Sequence, residues 1–260
     1  MNALAVEPLA AGLVAPVSGL LLAMADDEAV LGWTDSEWTG IAPLLEEDVA
    51  MSSLSQDELG HAQAWYGLLG GLQGSDPDVV AYDREPPDYR HARLLDHGRG
   101  DWAMTIARRF LYEAADAVRL EALVGAAWLP LAELAATCAR EERYHRMHID
   151  AWFERLAMAA GEPRDRLVAA LGIIGPDAGT VFTSLPDEGL LVDAAILAAP
   201  MAELEAEWRA TIEPILAGLG LPDLPPTSDP ATGRTSHSAA FTDLHAAFTS
   251  VRRSDPGAGW

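Results

Sequence analysis

The sequence predicts an all-α protein, built on a four-helix bundle that is followed by additional C-terminal helices. Long stretches rich in Ala, Leu and Glu repeat their apolar residues with a helical period of about 3.6, and no stretch alternates convincingly with a period of two. Half of the 260 residues are hydrophobic, which is enough to bury the core of one domain. We therefore expect residues 1–260 to form a single domain, with the bundle at about 18–158 and a helical extension at about 159–260.

The four helices of the predicted bundle lie between clusters of Pro and Gly. Their apolar periodicity predicts helices at Ser18–Asp35, Pro43–Leu69, Asp101–Trp128 and Leu131–Met158. A polar connection, Gly70–Gly100, separates the second helix from the third. Because this connection is much longer than a hairpin loop, we expect one long crossover that joins two helical hairpins.

Weaker periodicity after Gly161 predicts the extension. We expect a short helix at Arg164–Leu171, a longer one at Gly189–Gly218 with a start or kink at Pro200, and a terminal helix at Ser238–Arg253. Nothing in this pattern indicates a separate catalytic domain.

Charge and composition exclude several classes of protein. All 17 basic residues are Arg, against 40 acidic residues, so the net charge is −23. Such a chain lacks the basic surface that nucleic acids and anionic membranes require, and without Lys it has neither a Walker-type phosphate site nor a Schiff base. The single Cys138 excludes disulfide frameworks and thiolate metal sites, and it favours the cytoplasm. The apolar stretch Leu9–Ala25 lacks a basic segment before it, so we interpret it as the entry to a core helix.

Carboxylates and imidazoles interrupt the apolar face of each predicted bundle helix. Glu58 and His61 lie in the middle of the apolar face of the second helix, and Glu142 and His145 lie in the middle of the apolar face of the fourth. The first and third helices contribute one Glu each. An unpaired charge in a core costs several kcal/mol, so a cation is expected among these side chains. The six candidate metal ligands are Glu28, Glu58, His61, Glu113, Glu142 and His145.

The spacing of the candidate ligands indicates a carboxylate-bridged pair of metal ions. Glu-x-x-His occurs twice, and this spacing places both side chains on one helix face. A buried-face Glu precedes each copy, 30 residues before Glu58 and 29 residues before Glu142. Four Glu and two His in a bundle core are the ligands of a di-iron or di-manganese site. Asp57 and Glu141 are candidates to accept hydrogen bonds from the outer ring nitrogens of the two histidines.

Two of the carboxylates admit a second interpretation. Glu28 could belong to a solvated acidic turn with Asp26 and Asp27, although only Glu28 fits the apolar stripe. Glu141 could replace Glu142 by pairing with a histidine four residues later on an exposed face, but the seam favours Glu142.

Other residues near the predicted site are also ambiguous. Glu113 could form a salt bridge to Arg108 or Arg109, and Asp116 is a competing carboxylate one turn later. Three aromatic residues could line a substrate pocket or simply fill the core: Trp65, Phe110 and Tyr112. Two further histidines are expected at the surface or beside the ligands: His91 and His148.

Four stretches of the sequence are similar to segments of one known family. Pro43–Ala50 is similar to a segment "PxLEEDxAL", and Pro256–Trp260 to a closing "PGAxW". Leu31–Trp38 and Arg140–His145 also carry the resemblance. In these stretches the sequence resembles the ferritin-like subunits of the bacterial phenylacetyl-CoA epoxidase complex, and it is more similar to the C-type subunit, which has the two quoted segments, than to the catalytic A-type subunit. In one respect the chain departs from the C-type pattern, because Asp57–His61 looks like the "DEAGH" of the A-type subunit.

This resemblance implies a ferritin-like four-helix bundle that takes part in aerobic phenylacetate catabolism. In the family, the A-type subunit holds the di-iron centre, and the C-type subunit is a structural partner that has lost ligands. Here the six ligands are present, so the resemblance implies two irons, or manganese, bridged by Glu58 and Glu142, the proposed catalytic residues, with Glu28 and Glu113 terminal. The substrate would be phenylacetyl-CoA or a related aryl-CoA, oxidised to a ring epoxide with electrons from an external reductase. A hetero- or homo-oligomer that includes an A-type subunit is expected.

Two alternative functions remain at this stage. The chain is either this oxygenase component or a metal-free scaffold that holds the catalytic subunit, its buried carboxylates being relics or proton-sharing pairs. A ferritin-type ferroxidase is the third possibility.

Overall fold

The computed structural model describes residues 9–255, and these contain nine α-helices and no strand. The all-α prediction is confirmed, and the closing motif at 256–260 lies outside the described residues. The helices are α1 (Val14–Ser36), α2 (Leu45–Gln73), α3 (Pro77–Tyr82), α4 (Trp102–Val124), α5 (Leu129–Met158), α6 (Glu162–Ile174), α7 (Glu188–Asp193), α8 (Met201–Gly218) and α9 (Ala239–Ser254).

The four long helices α1, α2, α4 and α5 form two hairpins. The most extensive contacts are between α1 and α2 and between α4 and α5, while α2 also contacts α5 across the bundle. The expected crossover runs from the end of α2 to the start of α4 and contains the short helix α3, which the sequence did not predict. The four-helix bundle with one long crossover is therefore confirmed.

Local chemistry explains where the bundle helices differ from their predicted bounds. Helix α1 begins four residues early because Pro16 lies in its first turn, where backbone N–H groups lack helical partners in any case. Helix α2 continues past Leu69 to Gly74, which ends it in the left-handed conformation at φ 69°. Helix α4 begins after Asp101, whose side chain accepts a hydrogen bond from the Met104 N–H, and ends before Gly125.

The C-terminal helices pack around this bundle. Helices α6 and α8 contact α4, and α9 contacts α1. The helix start predicted at Pro200 is confirmed, because Pro200 is the N-cap of α8. The residues from Gly189 to Pro200 do not continue that helix, because α7 ends at Asp193 and the chain turns at Ala195 (φ 53°). Buried apolar side chains of the bundle and of the later helices belong to one core cluster. No helix among residues 9–255 combines the length and the apolar character that a membrane crossing requires.

Gly32 allows α1 and α2 to approach each other closely, one turn from Glu28. A methyl group at this position would lie 2.9 Å from the Leu59 Cγ and 3.1 Å from the Ser55 carbonyl oxygen. The backbone oxygen cannot rotate away, so the two helices would have to separate. The glycine therefore sets the spacing of the hairpin beside the predicted site.

We expect Gly32→Ala to lower the free energy of unfolding by about 1–3 kcal/mol through overpacking. Urea denaturation measures this change. Gly19→Ala, in the same helix with open space around its Cβ, is the matched control and should raise the stability by up to about 1 kcal/mol. Equal effects of the two substitutions would contradict the packing role of Gly32.

Candidate metal centre

The six predicted ligands come together in the middle of the bundle, and all are buried. They form two overlapping groups whose potential ligand atoms lie within 4.8 Å of one another. We call these the first position (Glu28, Glu58, His61 and Glu142) and the second position (Glu58, Glu113, Glu142 and His145). Only Glu58 and Glu142 belong to both groups, which is the placement required of two bridging carboxylates.

Each histidine turns its Nδ1 atom inward and its Nε2 atom outward. The His61 Nδ1 lies 3.1 Å from the Glu142 Oε1, and the His145 Nδ1 lies 3.2 Å from the same oxygen. The outer nitrogens contact carboxylates of the opposite helix: His61 Nε2 to Glu141 at 2.8 Å, and His145 Nε2 to Asp57 at 3.2 Å. These contacts fix the ring orientations and leave Nδ1 for a metal.

Unsatisfied atoms are the best indication that the cluster suits a cation. Each of the six residues has one buried atom that makes no well-formed hydrogen bond among the described residues: Glu28 Oε2, Glu58 Oε2, His61 Nδ1, Glu113 Oε2, Glu142 Oε1 and His145 Nδ1. The two histidine atoms nevertheless lie 3.1 and 3.2 Å from the Glu142 Oε1, so the glutamate oxygens Oε2 are the ones left without a hydrogen-bond partner. Buried polar atoms are normally hydrogen-bonded, because leaving one unpaired costs about 1–3 kcal/mol. Carboxylate oxygens and imidazole nitrogens are ligands that iron and manganese accept. The residues present therefore fit a di-metal site.

Arg109 is a fully buried cation at one edge of this cluster. Its Nη1 donates to the Glu113 Oε1 at 2.5 Å and its Nη2 to the Glu58 Oε1 at 2.8 Å. Its Nε donates to the Asp35 Oδ2 at 2.5 Å, and Asp35 also accepts a hydrogen bond from Arg108. The salt bridge considered for Glu113 thus exists, and it coexists with the place of Glu113 in the cluster.

Tyr112 connects the cluster to a second buried ion network. Its hydroxyl donates to the Glu28 Oε1 at 3.0 Å and lies 3.1 Å from Arg119, which also pairs with Asp116 and Asp27. Tyr112 thus touches a predicted ligand. The solvated turn considered for Glu28 is wrong, because Asp26 and Asp27 are both fully buried.

The other aromatic candidates behave as core residues. Phe110 stacks on Phe153 with ring centroids 3.7 Å apart, and Trp65 is fully buried. A cavity of about 360 Å³ between α1, α2, α3 and α9 has a different aromatic lining: Trp33, Tyr66, Tyr82 and Phe248.

Burial and mutual repulsion divide the four carboxyl groups into two pairs. Burial and the neighbouring Glu58 raise the pKa of Glu28 well above its usual range. Burial and Glu142 likewise raise the pKa of Glu113, against the lowering effect of Arg109. Burial also raises the pKa of Glu58, but Arg109 and the other partners outweigh it and hold that pKa well below its usual range. The pKa of Glu142 is lowered, because His145 and His61 outweigh burial and the repulsion from Glu58.

The histidines take up positive charge when no metal is bound. Burial lowers the pKa of His145, but the carboxylates of Glu142 and Glu58 outweigh burial and raise it to about 11. The pKa of His61 is raised by Glu142 and Glu28 in the same way, against burial. Protons and Arg109 can therefore balance the ionised Glu58 and Glu142, and metal binding would release such protons.

Sequence reasoning missed a second buried cluster, in which His91, Asp96 and His237 meet. His91 is fully buried, so the expectation of a surface histidine or a partner of the ligands is wrong. The His91 Nε2 lies 2.9 Å from the Asp96 Oδ1, and the imidazole rings of His91 and His237 stack with their centroids 4.2 Å apart. Ser238, the N-cap of α9, donates two hydrogen bonds to Asp96. Its backbone N–H donates to the Asp96 Oδ2, and its hydroxyl donates to the Asp96 backbone carbonyl. The cluster thus joins the crossover to the terminal helix, a contact over 140 residues that no local pattern reveals.

A four-helix bundle with a long crossover and a core of four glutamates and two histidines defines the ferritin-like class of proteins. Comparison with known families narrows the class. The family model "Phenylacetic acid catabolic protein" matches residues 10–260, and the chain belongs to that family.

A relative of known function supports the same placement. The chain is 28% identical over 198 residues to the C subunit of the 1,2-phenylacetyl-CoA epoxidase of Escherichia coli (strain K12). The alignment covers 74% of this chain and 77% of the relative. The resemblance to the C-type subunit seen in the sequence motifs is thereby confirmed.

Proposed function

We propose that this protein is a C-type component of a phenylacetyl-CoA-epoxidising oxygenase complex and that it holds its own di-metal centre. The complex would act in aerobic phenylacetate catabolism, with an external reductase and a catalytic A-type subunit as partners of this chain. Membership of the family and the match to the C subunit of a relative support the first part of the proposal. A cytoplasmic location stays a prediction from composition.

The convergence of the six buried side chains, and the buried oxygens of Glu28, Glu58 and Glu113 that make no hydrogen bond among the described residues, support the second part of the proposal. Glu28 and His61 would hold one ion and Glu113 and His145 the other, with Glu58 and Glu142 between them. Iron bound there would supply dioxygen activation, and manganese is the alternative metal. Neighbouring side chains would orient three of the ligands: Tyr112 donates a hydrogen bond to Glu28, and Arg109 donates to Glu58 and Glu113. Burial of all six ligands would exclude water from the centre.

A metal-free scaffold is the second candidate function, and Arg109 is the observation that favours it. A guanidinium already pairs with two of the four glutamates, and the raised pKa values of Glu28 and Glu113 allow protons to neutralise others. In this case the cluster would only stabilise a surface that binds the A-type subunit.

Metal analysis of the purified full-length chain decides between the two functions. After expression with excess iron, we expect close to two iron atoms per chain, with manganese measured in the same sample. A well-folded preparation that contains neither metal, and that binds none when Fe²⁺ is added without oxygen, would contradict the proposed centre and favour the scaffold.

The outer partners of the histidines give a further prediction. We expect Asp57→Asn and Glu141→Gln each to weaken metal binding by about 10- to 100-fold, because each removes the carboxylate that orients one imidazole. Competition of each variant with a metal chelator measures the affinity.

Folding should be little affected by these two changes, since the Asp57 and Glu141 side chains are 52% and 54% exposed. Glu133→Gln, on an exposed part of α5, is the control and should bind metal like the unmodified protein. Unchanged affinity in both Asp57→Asn and Glu141→Gln would show that the histidines do not need these carboxylates.

A further inference from the structure

Arg109 contacts one ligand that belongs to the second candidate position alone, and one ligand that both positions share. Glu113, which accepts its Nη1, belongs to the second position alone. The Glu58 oxygen that accepts its Nη2 is the Oε1 atom, and this atom lies 3.4 Å from the Nδ1 of His145, another ligand of the second position. The guanidinium is therefore placed beside the second position.

The ligands that belong to the first position alone have other partners. Glu28 accepts a hydrogen bond from the neutral hydroxyl of Tyr112, and His61 pairs with the carboxylate of Glu141. The histidine of the second position, His145, likewise pairs with a carboxylate, so the difference between the positions lies in their own glutamates. Glu28 accepts a hydrogen bond from a neutral hydroxyl, with Arg119 one contact further out, whereas Glu113 accepts directly from an arginine.

Arg109 is also held in place on its outer side. Its Nε is bound to Asp35 at 2.5 Å, and both side chains are fully buried. An arginine cannot lose its proton to relieve repulsion, and it can leave the site only by breaking its ion pair with Asp35. The positive charge beside the second position is therefore permanent.

From this asymmetry we infer that the two metal positions are unequal, and that a divalent cation fills the first position before the second. A cation in the second position shares both Glu58 and Glu113 with a fixed positive charge, whereas a cation in the first position shares only Glu58 with it. Like charges a few ångströms apart in a protein interior repel strongly. Binding there is weakened and not abolished, since the Glu113 Oε2 has no hydrogen-bond partner among the described residues. This inference rests on the proposed di-metal function, which a separate outcome of the same experiment tests.

Co²⁺ titration of the metal-free full chain under argon tests the inference, with bound metal measured by equilibrium dialysis and by visible absorption. We expect two binding steps whose dissociation constants differ about tenfold or more, or about 1.4 kcal/mol. Glu28→Gln should remove the tighter step, whereas Glu113→Gln should leave it in place. These two isosteric variants assign the steps even if changes at Arg109 prevent folding.

Substitution of the arginine tests its role directly. Arg109→Met should bring the two dissociation constants together, and Arg109→Lys, which keeps the charge, should leave them apart. Arg108→Met is the matched control, because Arg108 binds the same Asp35 without contacting a candidate ligand, and it should leave both constants unchanged.

The possible failures of the experiment have different meanings. Two Co²⁺ ions bound with equal affinity, or a tighter step that depends on Glu113 instead of Glu28, would overturn the inference while the di-metal centre stands. No bound Co²⁺ in the unmodified protein would overturn the centre itself and the inference with it.

Discussion

Glu142→Gln is expected to leave at most one metal ion per chain and to lower the epoxidase activity of the assembled complex by more than about 100-fold. The Glu142 Oε1 lies 3.1 and 3.2 Å from the two inward nitrogens, so this one carboxylate serves both positions. A neutral amide of the same shape cannot bridge two cations. The loss of activity should be larger than the 10- to 100-fold effect that is typical when a residue hydrogen-bonded to a metal ligand is substituted, because Glu142 is itself a proposed ligand. Iron analysis and turnover of phenylacetyl-CoA by the complex with its reductase measure the two effects.

Glu154→Gln is the matched control for this variant, because Glu154 lies on the exposed side of the same helix. It should keep the metal content and the turnover of the unmodified complex. If Glu142→Gln also kept both, Glu142 would not be the carboxylate that the two proposed metal positions share. Loss of metal with unchanged turnover would favour the scaffold function, since the catalytic step would then belong wholly to the partner.

Asp35→Ala is expected to have the largest effect on folding, lowering the free energy of unfolding of the metal-free protein by about 3–5 kcal/mol. Asp35 pairs with Arg108 at 3.0 Å and with Arg109 at 2.5 Å, and all three side chains are fully buried. Removing the carboxylate leaves two buried guanidinium groups without their shared anion. Urea denaturation in the presence of a chelator measures this loss.

An exposed ion pair gives the comparison for Asp35. Glu162 pairs with Arg166 at 2.6 Å, but both side chains are largely exposed and solvent screens the pair. Glu162→Gln should leave the urea midpoint unchanged. A similar result for Asp35→Ala would contradict its role as the anion that compensates both arginines.

The bundle could be predicted from the sequence because long stretches rich in Ala, Leu and Glu lie between connections that carry Pro and Gly. The helical periodicity of these stretches selected the six candidate ligands that the structure brings together, because each interrupts an apolar face at helical spacing. The spacing rule worked because it depends only on helix geometry, which places Glu58 and His61 on one face. The Asp57 and Glu141 prediction also agrees with the observed contacts.

Features that depend on distant contacts could not be predicted in this way. Asp26 and Asp27 looked solvated, yet they are buried because Arg84, Arg119 and Arg234 come to them from remote parts of the chain. Helix α3 was missed because it is only six residues long and follows Ser75 and Asp76 in a polar connection.

Only one of the contacts of Arg109 could be predicted from the sequence. The i, i+4 spacing indicates its pairing with Glu113, but its contact with Glu58 spans 51 residues and its contact with Asp35 spans 74. Both long contacts depend on how the two hairpins face each other, which no local pattern specifies.

The division of ligands between the hairpins has a consequence for assembly. Glu28, Glu58 and His61 come from one hairpin, and Glu113, Glu142 and His145 come from the other. Each candidate position therefore combines three residues of one hairpin with a single glutamate of the other, and neither half of the bundle can complete a position alone. An ion bound at the proposed centre would therefore stabilise the contact between the two hairpins, in addition to the ion pairs of Arg109 that join them without metal.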